Sequence, residues 1–186
     1  VSERLPPAAL LAWLNRGMAC LVPAITQRDG MVNKFTGDGV LAVFGAPVSQ
    51  GVTADARSAL EAALAIQDGL QALNQRLQAE GEPLMRMRIG LHSGPVLAGS
   101  MGSSERLEYA VIGDTVNCAS RLESLDKSRH DNVCRVLVSG STRGLLPDDL
   151  PVQWLSWGRL TVKGRREPLE IWELRGHADP SAPGGS

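Results

Sequence analysis

The residues best suited to chemistry lie in the heptapeptide 33–39, which reads NKFTGDG. Alternating apolar residues precede it and the apolar run 40–44 follows it, a pattern that predicts a β-hairpin with Lys34 and Asp38 near its tip. Gly37 and Gly39 permit positive φ and leave the backbone open to a phosphate or a metal ion. Taken alone, the heptapeptide is more typical of an ordinary turn, so its interpretation depends on the rest of the chain.

A second candidate is the pair Asn117 and Arg121, which lie one helical turn apart near the start of a predicted helix. An anion there would meet the positive end of the helix dipole, an amide and a guanidinium group. Lys163, in a glycine-containing loop, is another candidate anion contact. The alternative interpretation of Asn117 and Arg121 is a solvated polar face, and that of Lys163 is a surface turn.

His92 has no second His, Cys or carboxylate at a ligand spacing, so we interpret it as structural. The cysteines Cys20, Cys118 and Cys134 also lack metal-ligand spacing. An odd number of thiols in apolar or helical contexts indicates reduced cysteines and a cytoplasmic location.

Composition and charge argue against several classes of function. The 186 residues are 43% hydrophobic, which is enough for one sizeable core. With 19 basic and 20 acidic residues, no charge excess favours a nucleic acid or an anionic membrane. No apolar run approaches the roughly 20 residues of a membrane span, so membrane contact is expected only through regions outside this sequence.

Apolar periodicity predicts the elements that must position these groups. Spacings of three and four residues indicate helices over about 7–27, bent at Pro23 and capped by Gly30, and over about 53–81. A third helix follows Gly113. Together with the strands below, these helices predict two-layer packing of helices on a sheet.

Alternation predicts a half-buried strand over 85–91, then a Gly/Ser-rich projection and a return strand over 106–112. Further strands are expected at 135–139, 152–157 and 169–174, and a flexible tail from residue 176. The order matches a βαββαβ unit, except that this unit needs a strand before its first helix and none is present. That strand is expected from another element or from sequence ahead of Val1.

Three segments together resemble the catalytic domain of the class III adenylyl and guanylyl cyclases. They are NKFTGDG at 33–39, GLHSGPV at 90–96 and GDTVNCASRLE at 113–123, in the order and at the intervals of that family. The resemblance covers nearly the whole chain and assigns residues 1–175 to one catalytic domain, incomplete at its N-terminus. Three motifs in register are a specific signal, whereas any one of them alone is weak.

The resemblance implies an α+β, ferredoxin-like core that forms a head-to-tail homodimer with active sites at the interface. In such cyclases two divalent cations, Mg²⁺ or Mn²⁺, are held by two aspartates, and the ribose 3′-hydroxyl attacks the α-phosphate as pyrophosphate leaves. Asp38 resembles one metal aspartate, and the other is expected ahead of Val1. Asn117 and Arg121 resemble a pair on the facing subunit, in which Asn117 orients the ribose and Arg121 stabilises the reacting phosphate. Lys163 resembles the lysine on the terminal phosphates.

The resemblance also locates base selection. Lys34 lies where the family reads the purine, and an ammonium group suits the acceptor at adenine N1, so ATP is expected as substrate. The partner position is Ala110, whose side chain neither donates nor accepts a hydrogen bond. This departure keeps GTP as the alternative substrate.

Two other classes remain open. A cyclase-like module that binds nucleotide or only dimerises is favoured if the whole protein lacks the second aspartate. A nucleic-acid-binding sheet of related topology is disfavoured by the balanced charge and the lack of strand aromatics. The resemblance further implies a regulatory region upstream.

Overall fold

The structure is a computed structural model that describes residues 6–103, 106–129, 132–162 and 167–178. Its helices are α1 (Pro7–Thr26), α2 (Val52–Ala79), α3 (Asp114–Ser124) and α4 (Gly140–Arg143). Its strands are β1 (Gly30–Thr36), β2 (Gly39–Phe44), β3 (Met87–Leu91), β4 (Leu97–Ser103), β5 (Arg106–Ile112), β6 (Cys134–Ser139), β7 (Val152–Leu160) and β8 (Leu169–His177).

Helix α1 begins at Pro7, where a missing backbone N–H costs nothing, and it continues past Pro23 to Thr26. Gly30, expected as its cap, instead begins β1. Contrary to expectation, α1 is long and apolar enough to qualify as a membrane span by length and composition, a test that core helices also pass. Because Trp13 and Ile25 belong to the same buried cluster as α2, we interpret α1 as a core helix.

A four-stranded sheet with the order β3-β6-β8-β7 lies at the centre of the fold. Strands β3 and β6 are parallel, and the other neighbours are antiparallel. β1 and β2 form one separate hairpin, and β4 and β5 form another. In β8, His177 pairs with Val152, so the last strand includes two residues that the sequence pattern placed in the tail.

Apolar side chains form cores on both faces of this sheet. Val136 and Val138 of β6 belong to the core shared with α1 and α2. Leu137, which points the other way, packs with Leu122 of α3. The helices therefore lie on both faces of the sheet, whereas the predicted two-layer packing places them on one face.

A groove separates β2 from β3. Within the described ranges β2 pairs only with β1, and β3 only with β6, so their facing edges have no strand partner. The groove has a volume of about 1330 Å³, above the range of roughly 300–1,000 Å³ that is usual for ligand pockets. It lies where a βαββαβ unit has the strand preceding its first helix. The predicted α+β class is confirmed, since helices pack on a sheet of mixed parallel and antiparallel strands.

Candidate active site

The tip of the β1–β2 hairpin carries Asp38. Thr36 pairs with Gly39, so Gly37 and Asp38 form a two-residue turn. Gly37 has a φ of 66°, and positive φ at the first central position is the pattern of a type II′ turn. Gly39, also expected to need positive φ, does not adopt it. The turn leaves Asp38 exposed where it borders the groove.

Lys34, Thr36 and Asp38 all border the groove between β2 and β3. Lys34 and Thr36 are alternate residues of β1 and so share a face, and Asp38 follows in the turn. Lys34 is exposed. The hairpin thus presents an ammonium group and a carboxylate to the same groove.

Ala110, the second predicted base-reading position, lies on β5 opposite Gly99 of β4. A hydrogen bond links this hairpin to β1, because Nδ2 of Asn33 donates to the carbonyl oxygen of Tyr109 at 2.6 Å. Asn33 directly precedes Lys34, and Tyr109 directly precedes Ala110. The structure therefore brings the two predicted base-reading positions close to each other.

Helix α3 is held close to the end of β3. Thr115 Oγ1 donates to the carbonyl oxygen of Pro95 at 2.8 Å, and Gly94 leaves room for the Thr115 side chain. Further along α3, the backbone of Ala119 lies against Gly90. These contacts place the first turns of α3 beside the groove.

The two predicted anion-binding residues of α3 are placed differently. Asn117 is exposed and lines the groove, whereas Arg121 lies outside the groove lining. Arg121 Nη1 lies 3.6 Å from Asp114 Oδ1, and this buried nitrogen makes no hydrogen bond within the described part of the chain. One chain therefore brings Asn117, but not Arg121, into the groove that holds Asp38.

Arg135 of β6 was not singled out in the sequence. Its side chain is 2% exposed and donates to the carbonyl oxygens of Glu123, Leu125, Asp126 and Arg129, at 2.5–3.2 Å. Burial lowers the pKa of this guanidinium group. Because these carbonyls belong to the end of α3 and the loop after it, Arg135 anchors the helix that carries Asn117 and Arg121. The sequence feature that could have identified Arg135 is an arginine within an otherwise apolar strand.

Three acidic residues line the groove. Asp55 accepts hydrogen bonds from Ser49 Oγ and from the backbone of Gln50, and Glu123 accepts one from Arg88 at 2.8 Å. Asp38 is therefore the groove carboxylate best placed to hold a metal ion. The described residues contain no group of three His, Cys, Asp or Glu side chains that would form a metal site, so they do not complete one.

Two other predicted residues have different outcomes. Lys163 lies outside the described residues. His92 Nδ1 lies 2.8 Å from Ser139 Oγ, a fully buried hydroxyl, which fits the interpretation of His92 as structural.

The chain matches the family of adenylate and guanylate cyclase catalytic domains over residues 1–176. It therefore belongs to this family, and the resemblance of the three motifs is confirmed.

Individual relatives agree with this assignment. Adenylate cyclase 1 of Rhizobium meliloti (strain 1021) is 37% identical over 176 residues, which are 95% of this chain and 25% of that protein. The adenylyl cyclase CyaB from P. aeruginosa has a TM-score of 0.80 at 32% identity, covering 93% of this chain and 85% of that one. The guanylyl cyclase Cya2 has a TM-score of 0.81 at 31% identity, covering 97% and 87%. The chain thus spans about a quarter of that curated relative, and it is equally similar to solved structures of both base preferences.

Proposed function

We propose that this chain is the catalytic domain of an adenylyl cyclase, which converts ATP to 3′,5′-cyclic AMP and pyrophosphate. The observation that carries the proposal is that Lys34 and Asp38 of one cyclase motif line a single groove with Asn117 of another. An ammonium group, a carboxylate and an amide facing one space suit a nucleotide triphosphate.

In the proposed reaction the ribose 3′-oxygen forms a bond to the α-phosphorus. The bond between that phosphorus and the departing pyrophosphate breaks, and the hydroxyl proton is released. Asn117 orients the ribose, and Lys163 contacts the terminal phosphates. Arg121, whose Nη1 makes no hydrogen bond in the described chain, stabilises the charge that develops on the reacting phosphate.

The proposed dimer explains why Arg121 lies outside the groove that holds Asp38. The β4–β5 hairpin exposes Leu97, Met101, Leu107 and Ile112, each at least 50% accessible. Exposed apolar side chains concentrated on one hairpin mark an interaction surface. A second copy of the chain is the proposed occupant, and it would bring its Asn117 and Arg121 to the partner's Asp38.

Divalent cations, Mg²⁺ or Mn²⁺, belong to the proposal, and when bound they would neutralise charge on the triphosphate. Asp38 supplies one carboxylate. We propose that a strand from sequence ahead of Val1 pairs with the open edges of β2 and β3 and carries the second aspartate. It would occupy the part of the groove between those two strands and leave the part bordered by Lys34 and Asp38 to the nucleotide. Unpaired backbone edges between packed elements favour such a strand because buried N–H and C=O groups require partners.

The preference for ATP rests on Lys34, since an ammonium group donates to adenine N1. Guanylyl cyclase activity is the second candidate, favoured by the inert side chain of Ala110 and by the similarity to Cya2. A nucleotide-binding or dimerisation module without activity is the third, favoured because the described residues offer no complete metal site.

Two further proposals concern the whole protein. The chain covers 25% of the length of a curated adenylate cyclase, which leaves room for a regulatory region upstream. A cytoplasmic location is proposed because the three cysteines are free thiols, which persist in a reducing compartment.

The test is a cyclase assay with ATP and GTP in parallel, each with Mg²⁺ or Mn²⁺, on protein that includes the sequence ahead of Val1. Cyclic AMP as the main product supports the proposal. Cyclic GMP as the main product keeps the reaction and overturns the base preference. A folded dimer that forms neither product favours the binding-module alternative.

A further inference from the structure

Strand β1 contains a β-bulge at Asn33. Val32 pairs with Ala42 of β2, and Lys34 pairs with Leu41, so Asn33 is an extra residue without a pairing partner on β2. Bulges re-aim neighbouring side chains and are frequent beside active sites. The position of this one, directly before Lys34, suggests that it affects where the ammonium group points.

The bulge decides which face of the hairpin Lys34 occupies. Val32 and Ala42 both pack against the core shared with α1 and α2. Strict alternation would return Lys34 to that apolar face, opposite Val40, because a shift of one residue exchanges the two faces of a strand. The extra residue pairs Lys34 with Leu41 on the other face instead. Lys34 consequently lies on the face away from that core, and it borders the groove together with residues of both faces of β2.

Asn33 also fixes β1 to the neighbouring hairpin. Its side chain is half-buried, and its Nδ2 donates to the carbonyl oxygen of Tyr109 at 2.6 Å. A carbonyl oxygen only accepts hydrogen bonds, so the amide nitrogen must be the atom that faces it. The bond connects the bulge to the residue directly before Ala110.

We infer that Asn33 is a specificity-determining positioning residue for the cyclase reaction. The bulge places Lys34 on the face away from the core, and the hydrogen bond to Tyr109 sets the separation between Lys34 and the Ala110 backbone across which the purine is read. Asn33 acts through Lys34 and does not itself contact the base. This inference rests on the proposed function, in which Lys34 reads the purine.

The test is a double-mutant cycle in the full-length protein. Asn33→Asp keeps the size of the side chain but replaces the donating amide with an oxygen that repels the Tyr109 carbonyl. The measured quantity is the ratio of kcat/KM for ATP to kcat/KM for GTP, with Lys34 intact and with Lys34→Ala. Inhibition by inorganic tripolyphosphate, which has no base, serves as the control for phosphate binding.

With Lys34 intact, Asn33→Asp should lower the ATP-to-GTP ratio roughly three- to tenfold, the effect of one neutral hydrogen bond. In the Lys34→Ala background the same change should have little further effect, because the two residues act through one interaction. Inhibition by tripolyphosphate should not change in Asn33→Ala, which removes the donor without adding a charge beside Lys34.

The remaining outcomes separate this inference from the proposed function. If Lys34→Ala changes the ratio but Asn33→Asp does not, the positioning role is overturned and the base contact stands. An equal fall in both backgrounds, or weaker inhibition by tripolyphosphate in Asn33→Ala, indicates a general structural role and also overturns it. If Lys34→Ala leaves the ratio unchanged, the proposed base contact fails, and the inference fails with it. Asn33→Ala carries the same expectations for the ATP-to-GTP ratio. It replaces Asn33→Asp in that measurement if Asn33→Asp does not fold.

Discussion

Gly90 of β3 lies directly against the backbone of Ala119 in α3. A Cβ atom at position 90 would lie 2.1 Å from the Ala119 carbonyl oxygen and 2.6 Å from the Glu123 nitrogen, and real Cβ atoms essentially never approach within 3.0 Å. Helix and strand therefore touch backbone to backbone. The positions of Asn117 and Arg121 depend on this close contact, because both residues project from the same helix.

We therefore expect Gly90→Ala to push α3 away from β3. The overpacking should lower the free energy of unfolding by roughly 1–3 kcal/mol and should lower kcat as Asn117 and Arg121 move. Urea unfolding and the cyclase assay measure the two effects. The matched control for the unfolding measurement is Gly99→Ala, since a Cβ at position 99 would meet nothing within 4 Å. Equal unfolding free energies for the two variants would show that α3 can move at no cost.

Replacing Asp38 tests the proposed metal carboxylate. Asp38→Asn should reduce kcat by roughly 100-fold or more, as expected when a group that organises transition-state charge is lost. Stability and dimer formation should not change, because Asp38 lies in an exposed turn. Asp68→Asn is the control, since Asp68 is an exposed carboxylate on α2 that contacts His177. Substantial cyclase activity in Asp38→Asn would remove this residue from the metal site.

The sequence predicted the hairpin, the start of α3 and the open position of a missing strand, because each depends on local patterns or on element order. The bulge at Asn33 was not predictable in this way, since it exists only in the pairing of β1 with β2. The four carbonyl contacts of Arg135 join β6 to a loop several residues away, so they depend on tertiary packing. Sequence patterns thus indicated the candidate site residues better than the residues that hold them in place.

The proposed interface is tested by mixing two inactive variants. If Asp38 and Arg121 serve one site from opposite chains, a heterodimer of Asp38→Ala and Arg121→Ala contains one intact site. Mixing should then restore activity, and each heterodimer should reach at most half the activity of a wild-type dimer. Subunit exchange is verified with differently tagged chains. Exchange without recovery would argue against an active site shared between subunits.

Reversing the charge at position 34 tests base recognition. Lys34→Glu replaces a donor to adenine N1 with an acceptor for the N–H at guanine N1, so the ratio of kcat/KM for ATP and GTP should move towards GTP. The same ratio is compared in the double variant Lys34→Glu, Ala110→Asp. The added carboxylate can accept a hydrogen bond from a base amino group, which the side chain of Ala110 cannot do. An unchanged ratio in Lys34→Glu would mean that the base is read by other residues.

Cys134 offers a test of the core beneath the site. Burial raises the pKa of its thiol to about 12, from an ordinary value of 9.0. Between these two values the thiol ionises in the unfolded chain but not in the folded protein. The contribution of the Cys134 thiol to the free energy of unfolding is therefore complete below pH 9 and declines as the pH rises towards 12. Between pH 9 and pH 10 the free energy of unfolding should fall by about 1 kcal/mol, because the unfolded thiol is already half ionised at pH 9 and a full pKa unit corresponds to about 1.4 kcal/mol.

The comparison is urea unfolding of the wild type and of Cys134→Ala at both pH values. The alanine variant lacks the titrating thiol, so the difference in unfolding free energy between the two proteins should narrow at the higher pH. The other cysteines are the same in both proteins and cancel. Parallel pH dependence in the two proteins would show that water reaches Cys134, and the packing of β6 against α2 would then be looser than the structure shows.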